Sequence, residues 1–187
     1  RLAPKRVSDS KTLGQPGRVT MDWSAPLAEL FRLRTFVDFG FVVPLPVHDV
    51  DDVRLAPAVA ALLGKPEVLA LLSTLTVGPV RYRLELAGEG PRRSLLRELS
   101  TAISQKVPQL VNDPMDSPWQ IELVQTDAGT LSLELVPKQL VDPRFAYRQK
   151  MVAAASHPTL AAALARCLAA RPGDVVWDPF VGSGGEL

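Results

Sequence analysis

The sequence predicts a mixed α and β protein in two parts, an α+β module followed by the opening of a doubly wound α/β domain. In the first part, a strand, an amphipathic helix and a hairpin follow one another over about residues 75–137. In the second part, an alanine-rich helix leads through a short turn to an apolar run and a glycine loop, the order in which doubly wound domains begin. A hydrophobic share of 47% and a charged share of 22% indicate a packed core.

Period-two alternation defines the strands of the α+β module. A half-buried strand is predicted over 77–86, with apolar side chains at Val80, Tyr82, Leu84 and Leu86. The runs 119–125 and 130–136 alternate around Asp127-Ala-Gly129, which predicts a hairpin. The helix between strand and hairpin is predicted over 92–107, with an apolar stripe of Leu95, Leu96, Leu99, Ala102, Ile103 and Val107.

The remaining elements follow from local start and stop signals. Residues 1–17 are expected to form a flexible lead and 138–155 a connector. Further strands are predicted over 18–23, 35–45 and 174–177. Further helices are predicted over 25–33, 49–63 (with an Asp cap and an end at Gly64), 66–72 and 157–170.

Composition says more about the cellular compartment of the protein than about its binding partner. A net charge of +1 argues neither for nor against nucleic acid, so a polyanion would need local basic patches. The single cysteine, Cys167, excludes an internal disulfide, is expected to be buried, and fits a reducing, cytoplasmic compartment. No apolar run approaches the ~18–20 residues of a membrane span, and the start, Arg1-Leu-Ala-Pro-Lys-Arg6, lacks the apolar core of a signal peptide. Because Arg1 is not a Met, we expect further residues before it.

The most specific motif follows the last predicted strand. Val175 to Trp177 lead into Asp178-Pro-Phe-Val-Gly-Ser-Gly184. Glycines there let the backbone approach a ligand closely, and exposed N–H groups can hold polar or anionic groups. The string is neither the dinucleotide-binding glycine pattern nor a P-loop.

This string closely resembles motif I of S-adenosylmethionine-dependent methyltransferases that modify nitrogens of nucleic-acid bases. The resemblance implies S-adenosyl-L-methionine as cofactor, with the loop beneath its methionine part. The implied cofactor-binding residues in the loop are Asp178, Pro179, Phe180, Gly182, Ser183 and Gly184. Gly185-Glu186 departs from the family, in which Thr or Ala often follows the loop.

Two upstream segments extend the resemblance. Asp142-Pro-Arg-Phe-Ala-Tyr-Arg148 and Ser156-His-Pro-Thr-Leu-Ala-Ala162 are similar to the lead-in of methyltransferases that carry a THUMP domain, a module that delivers RNA to the catalytic domain. His157 and Pro158 would then help to cover the cofactor, although a structural place at a helix start is the alternative for His157. The implied domains are a ferredoxin-like region over 1–74, a THUMP-like module over 75–140, and over 141–187 a linker with the first helix and strand of a truncated Rossmann-like methyltransferase domain.

Basic residues cluster in two stretches. From Arg81 to Lys106 there are six basic residues against three acids, and from Lys138 to Lys150 four against one. The predicted RNA-binding residues are Arg81, Arg83, Arg92, Arg93, Arg144, Arg148 and Lys150. A solvated helix face is the alternative for Arg92, Arg93 and Arg97, and packing of a linker between domains is the alternative for Arg144 and Arg148.

The resulting expectation is an RNA base methyltransferase acting on guanine N2 of tRNA or rRNA. Its catalytic residues are expected beyond Leu187, so the chain alone would be inactive and would need the remainder of its own methyltransferase domain as a partner. The alternatives are a non-catalytic RNA-binding or assembly module and a DNA amino-methyltransferase. Asn112-Asp-Pro-Met115 is interpreted as a plain turn, and no Cys/His spacing predicts a metal. The oligomeric state stays open.

Overall fold

The computed structural model describes residues 7–8, 19–87, 93–125, 130–140, 143–146 and 156–179. Contacts between Cα atoms divide the chain into two units. The first unit comprises residues 1–23 and 39–140, and the second comprises 24–38 and 141–187. The second unit is therefore built from chain segments on either side of the main part of the first.

The described elements confirm a mixed α/β fold. The strands are β1 (Val7–Ser8), β2 (Thr20–Met21), β3 (Phe41–Pro44), β4 (Arg81–Leu86), β5 (Val111–Asn112), β6 (Trp119–Gln125) and β7 (Leu131–Pro137). The helices are α1 (Leu27–Leu30), α2 (Leu55–Leu63), α3 (Pro66–Thr74), α4 (Arg93–Lys106) and α5 (Pro158–Leu168), with a 3-10 turn at Pro143–Phe145. Among the described residues, no single helix has the length and apolar character to cross a membrane, and only the bent pair α2 and α3 meets both criteria jointly.

The first unit contains a five-stranded sheet in the order β3-β7-β6-β4-β5. The predicted hairpin is confirmed, because β6 and β7 pair antiparallel with Ile121 opposite Leu135. Strand β4 runs parallel to β6, and α4 makes the crossover that a parallel pair requires. Strands β1 and β2 form a separate two-stranded ladder.

The hydrophobic core lies on one face of this sheet, against the helices. The alternation predicted for β4, β6 and β7 brings Tyr82, Trp119 and Leu135 to this face, and each is fully buried. Helix α4 adds Leu99 and Ile103 from its predicted apolar stripe. Burial of each such side chain contributes about 1.5–3 kcal/mol. Helices α2 and α3 share this core, so the domain boundary predicted between residues 74 and 75 falls inside a single core.

Helix α2 is shorter than predicted at its start. The carboxylate of Asp49 accepts the N–H of Asp51, and that of Asp52 accepts the N–H of Arg54, at 3.0 and 2.8 Å. These hydrogen bonds between side chain and backbone compete with helix formation, so the helix begins only at Leu55. The predicted end at Gly64 is confirmed, although its φ of −79° is not left-handed. A Cβ there would lie 3.3 Å from Cγ2 of Val107, so packing at the end of α4 favours a glycine.

The strand predicted over 35–45 forms only at β3. Gly40 precedes it, and a Cβ at this position would lie 3.0 Å from Cγ2 of Val136 on β7. Residues 35–38 belong to the second unit, where the carbonyls of Phe36 and Val37 accept hydrogen bonds from a side chain rather than from a strand. The β-forming composition was therefore overridden by a tertiary contact.

Two predictions about the end of the second unit are wrong. Residues 174–177 do not form a strand, and Val175 and Trp177 are 94% and 82% exposed. A strand needs a neighbour for its N–H and C=O groups, and within the described part of the chain none pairs with this run. Cys167 is exposed on α5 rather than buried.

Candidate nucleic-acid interface and cofactor loop

The structure describes half of the predicted cofactor-binding set. Phe180, Gly182, Ser183 and Gly184 lie outside the described residues. Asp178 is half-buried and Pro179 exposed, directly after the exposed run that ends at Trp177.

His157 forms the N-terminal cap of α5. Its Nδ1 accepts the backbone N–H of Thr159 at 3.4 Å and lies 2.8 Å from Oγ1 of the same residue. Pro158 follows at the first helical position, where its missing N–H costs nothing, and is buried. These contacts give His157 the structural place at a helix start that the sequence left open as the alternative.

Arg144 is a buried structural residue rather than a surface cation. Its side chain is 4% exposed and donates hydrogen bonds to the carbonyls of Phe36 at 2.6 Å and Val37 at 2.9 Å. Its guanidinium also lies 3.8 Å above the ring of Phe36. This arrangement differs from the predicted RNA contact, because phosphate cannot reach a guanidinium held in this way. Arg148 and Lys150 lie outside the described residues.

Arg81 and Arg83 are engaged by carboxylates. Arg81 lies 2.6 Å from Asp116 and 3.4 Å from Asp113, and Arg83 lies 2.9 Å from Glu85. Asp113 also accepts the N–H groups of Asp116 and Met115, and these bonds, with Arg81 nearby, hold its pKa below the usual value. Asn112 ends strand β5, and the bonds to Asp113 hold residues 113–116 in a turn, so the predicted plain turn is confirmed only after Asn112. The two arginines add little net positive charge to this surface.

Three glutamates form a row that the sequence analysis missed. Glu85, Glu122 and Glu134 lie directly opposite one another across β4, β6 and β7. Because side chains alternate along strands, all three lie on the sheet face away from the helical core. Gln120 donates to Glu85 at 2.8 Å, and Glu134 is only 6% exposed. Val124 and Ser132 share this face and are 1% and 5% exposed, so it presents little surface to phosphates.

The exposed side of α4 is basic. This helix carries three basic residues and one acid, Glu98. Arg93 and Arg97 are exposed and lie one turn apart, while Lys106 is exposed in the last turn. Arg92 lies outside the described residues. Of the predicted RNA-binding arginines that are described, Arg93 is the one that stands exposed without a carboxylate partner within the described part of the chain.

The fold is thus a mixed α/β fold with a five-stranded sheet and five described helices. No protein-family model matches the chain. No curated protein matches it either. Among solved structures, the chain is similar to a crystal structure of a 4-thiouridine synthetase–RNA complex with bound ATP, at 16% identity and a TM-score of 0.39. That similarity covers 71% of this chain and 34% of the other, so the chain spans about a third of the length of that protein.

Proposed function

We propose that the chain belongs to an S-adenosylmethionine-dependent RNA base methyltransferase, in which the first unit binds RNA and the Asp178–Gly184 loop, with His157 and Pro158, contacts the methyl donor. One observation carries the proposal: the Asp178–Gly184 string, which resembles motif I, follows the Ser156–Ala162 lead-in. The described geometry is compatible with this order. Helix α5 begins at Pro158, as the lead-in predicts, and a turn closed by the Arg171 N–H and the Asp174 carboxylate precedes the loop.

RNA is the proposed substrate because of the module that precedes the loop. Strand β4, helix α4 and the β6–β7 hairpin occur in the order expected of a THUMP-like module. The helix carries exposed arginines, which suit phosphate contacts. Within RNA we propose guanine N2 of tRNA or rRNA as the target, in line with the family that the motif resembles.

The proposed reaction asks the protein mainly for alignment. S-adenosylmethionine, when bound, supplies a methyl group already activated on a sulfonium. The protein must hold a base nitrogen in line with that methyl group, an effect of proximity and orientation. A base inside a helix is not accessible, so a methyltransferase of this kind acts on an unstacked or extruded nucleotide.

A non-catalytic RNA-binding module is the second candidate. It needs only the exposed arginines of α4, which suit phosphate contacts, and no methyl donor. Under this alternative the chain binds RNA without transferring a methyl group. The two candidates therefore differ in methyl transfer and agree on RNA binding.

The deciding experiment measures transfer of labelled methyl groups from S-adenosylmethionine to tRNA and rRNA transcripts by the protein encoded by the complete gene. We expect transfer, and we expect Asp178→Ala to lower it at least about tenfold, a loss of about 1.4 kcal/mol of transition-state stabilisation. Asp174→Ala is the matched control, because this nearby carboxylate closes a turn. Its transfer rate should stay within about twofold of wild type.

Each possible result has a clear consequence. RNA binding without methyl transfer to any RNA would favour the non-catalytic module. Preferential binding and methylation of duplex DNA over RNA would refute the RNA assignment. Equal losses from Asp178→Ala and Asp174→Ala would remove the assignment of Asp178 to the cofactor.

A further inference from the structure

We infer that RNA phosphates contact the first unit along the exposed side of α4, through Arg93 and Arg97, and not on the sheet face that carries Glu85, Glu122 and Glu134. This inference rests on the proposed function, since it names the surface that would bind RNA. It gives Arg97 a role in RNA binding, whereas the sequence was interpreted as placing this residue on a solvated helix face.

The geometry of α4 brings the two arginines together. Positions 93 and 97 are one helical turn apart, so their side chains lie on the same side of the helix. The opposite side carries Leu99 and Ile103, which are fully buried in the core. Both arginines are consequently directed to the surface by the packing that anchors the helix.

The positive charges of Arg93 and Arg97 are not neutralised by a carboxylate in the described part of the chain. In the described part of the chain, no carboxylate forms an ion pair with Arg93 or Arg97, in contrast to Arg81 and Arg83. Thr101, one turn further, donates its hydroxyl to the carbonyl of Arg97 at 2.8 Å. The guanidinium groups are therefore the free donors of this side of the helix, and guanidinium suits bidentate phosphate contacts.

The sheet face that points away from the helices is unsuitable for RNA phosphates. Glu85, Glu122 and Glu134 form a cross-strand row there. Arg83 shares that face, but its charge is paired with Glu85 at 2.9 Å. Val124, Ser132 and Glu134 on this face are only 1%, 5% and 6% exposed, so it presents little surface to a phosphate. The exposed arginines of α4 are therefore the better surface for phosphates.

Contacts of this type make binding independent of sequence and sensitive to salt. Each phosphate neutralised by Lys or Arg releases counterions, so the logarithm of affinity falls linearly with the logarithm of salt concentration. The slope is roughly 0.7 per phosphate contact for a single strand and roughly 0.9 for a duplex. Removal of both arginines should lower the slope by roughly 1.4 to 1.8.

The test is fluorescence anisotropy with an unmodified tRNA transcript and a single-stranded RNA of mixed sequence, across a salt series. We expect the double variant Arg93→Gln with Arg97→Gln to bind both RNAs at least about tenfold more weakly at low salt, with the smaller slope. Arg97→Lys keeps the charge and should keep the slope. Arg54→Gln is the matched control, since Arg54 is an exposed arginine already paired with Asp52 at 2.6 Å. Both sites are exposed, so circular dichroism should show an unchanged fold.

The outcomes separate this inference from the proposed function. RNA binding by the wild type with an unchanged slope in the double variant would overturn the assignment to α4 and leave the proposed function standing. A larger loss in Arg83→Gln than in the double variant would place the RNA on the sheet face and would also overturn it. Failure of the wild type to bind either RNA at any salt concentration would refute both.

Discussion

Replacing Arg144 by Met tests whether a buried arginine holds the second unit together. The methionine keeps an unbranched apolar stem but removes the guanidinium. Two charge-assisted hydrogen bonds to the carbonyls of Phe36 and Val37 are lost, together with the contact above the Phe36 ring. The side chain at position 144 then no longer holds residues 33–37 against residues 143–146.

The expected cost follows from the contacts. Hydrogen bonds to a charged group contribute about 1.5–3 kcal/mol each, and a desolvated cation–π contact about 2 kcal/mol. The simple sum, about 5–8 kcal/mol, assumes that the freed carbonyls stay dry. Val37 is 66% exposed, so water can reach this segment and replace part of the loss. We therefore expect the second unit to lose about 3–4 kcal/mol, less than the simple sum.

Hydrogen exchange measures this loss locally. The amides of Arg32 and Leu33 donate to the carbonyls of Glu29 and Leu30, so they report opening of this segment. A loss of 3 kcal/mol should accelerate their exchange roughly 100-fold, while the β6–β7 hairpin exchanges as in the wild type.

The control is Arg32→Met, in the same segment. Arg32 is 72% exposed and pairs with Glu29 at 3.0 Å, so its removal should cost at most about 1 kcal/mol. Equal exchange rates in Arg144→Met and Arg32→Met would refute the structural role of Arg144.

Three further predictions concern single sites. Gly40→Ala would bring a Cβ within 3.0 Å of Val136 and should destabilise the first unit by about 1–3 kcal/mol, measured by urea unfolding; an unchanged midpoint would contradict the close approach. Hydrogen bonds from Arg54 lower the pKa of Asp52 from 3.8 to about 2, so its contribution to stability is present above about pH 4 and is lost as the pH falls through 2. The difference in unfolding midpoint between wild type and Asp52→Asn should shrink over this range, and a constant difference would argue against the bond. Cys167 should react with a thiol reagent in the folded protein, and protection until unfolding would show that it is buried.

Local patterns predicted the elements that depend on local signals. The β6–β7 hairpin follows from alternation around a short turn, and α4 follows from its apolar stripe. The runs 35–45 and 174–177 have equally good β-forming residues, yet only Phe41–Pro44 pairs with another strand. The difference is the presence of a neighbour, which is a property of the tertiary structure and not of the run.

The contacts of the candidate site were harder to predict from the sequence, because they join residues that are far apart in the chain. Arg144 stands beside Phe145 in the sequence, but its aromatic partner in the structure is Phe36, 108 residues away. Glu85 and Glu122 stand in two separate predicted strands. Their alignment in one row requires the strand order, in which β6 lies between β4 and β7.

The nested layout of the two units implies an order of assembly. The segments that Arg144 joins flank residues 39–140 in the sequence, so in an unfolded chain their contact closes a loop of about 100 residues, at roughly 4 kcal/mol of entropy. Pairing of β3 with β7 removes most of this cost, because Phe41 lies opposite Leu135 and the two exits of the first unit are held side by side. Formation of the first unit therefore makes the contact of Arg144 with residues 36–37 effectively local. It follows that loosening β3 from β7 should weaken the second unit, whereas loss of Arg144 should leave the first unit intact.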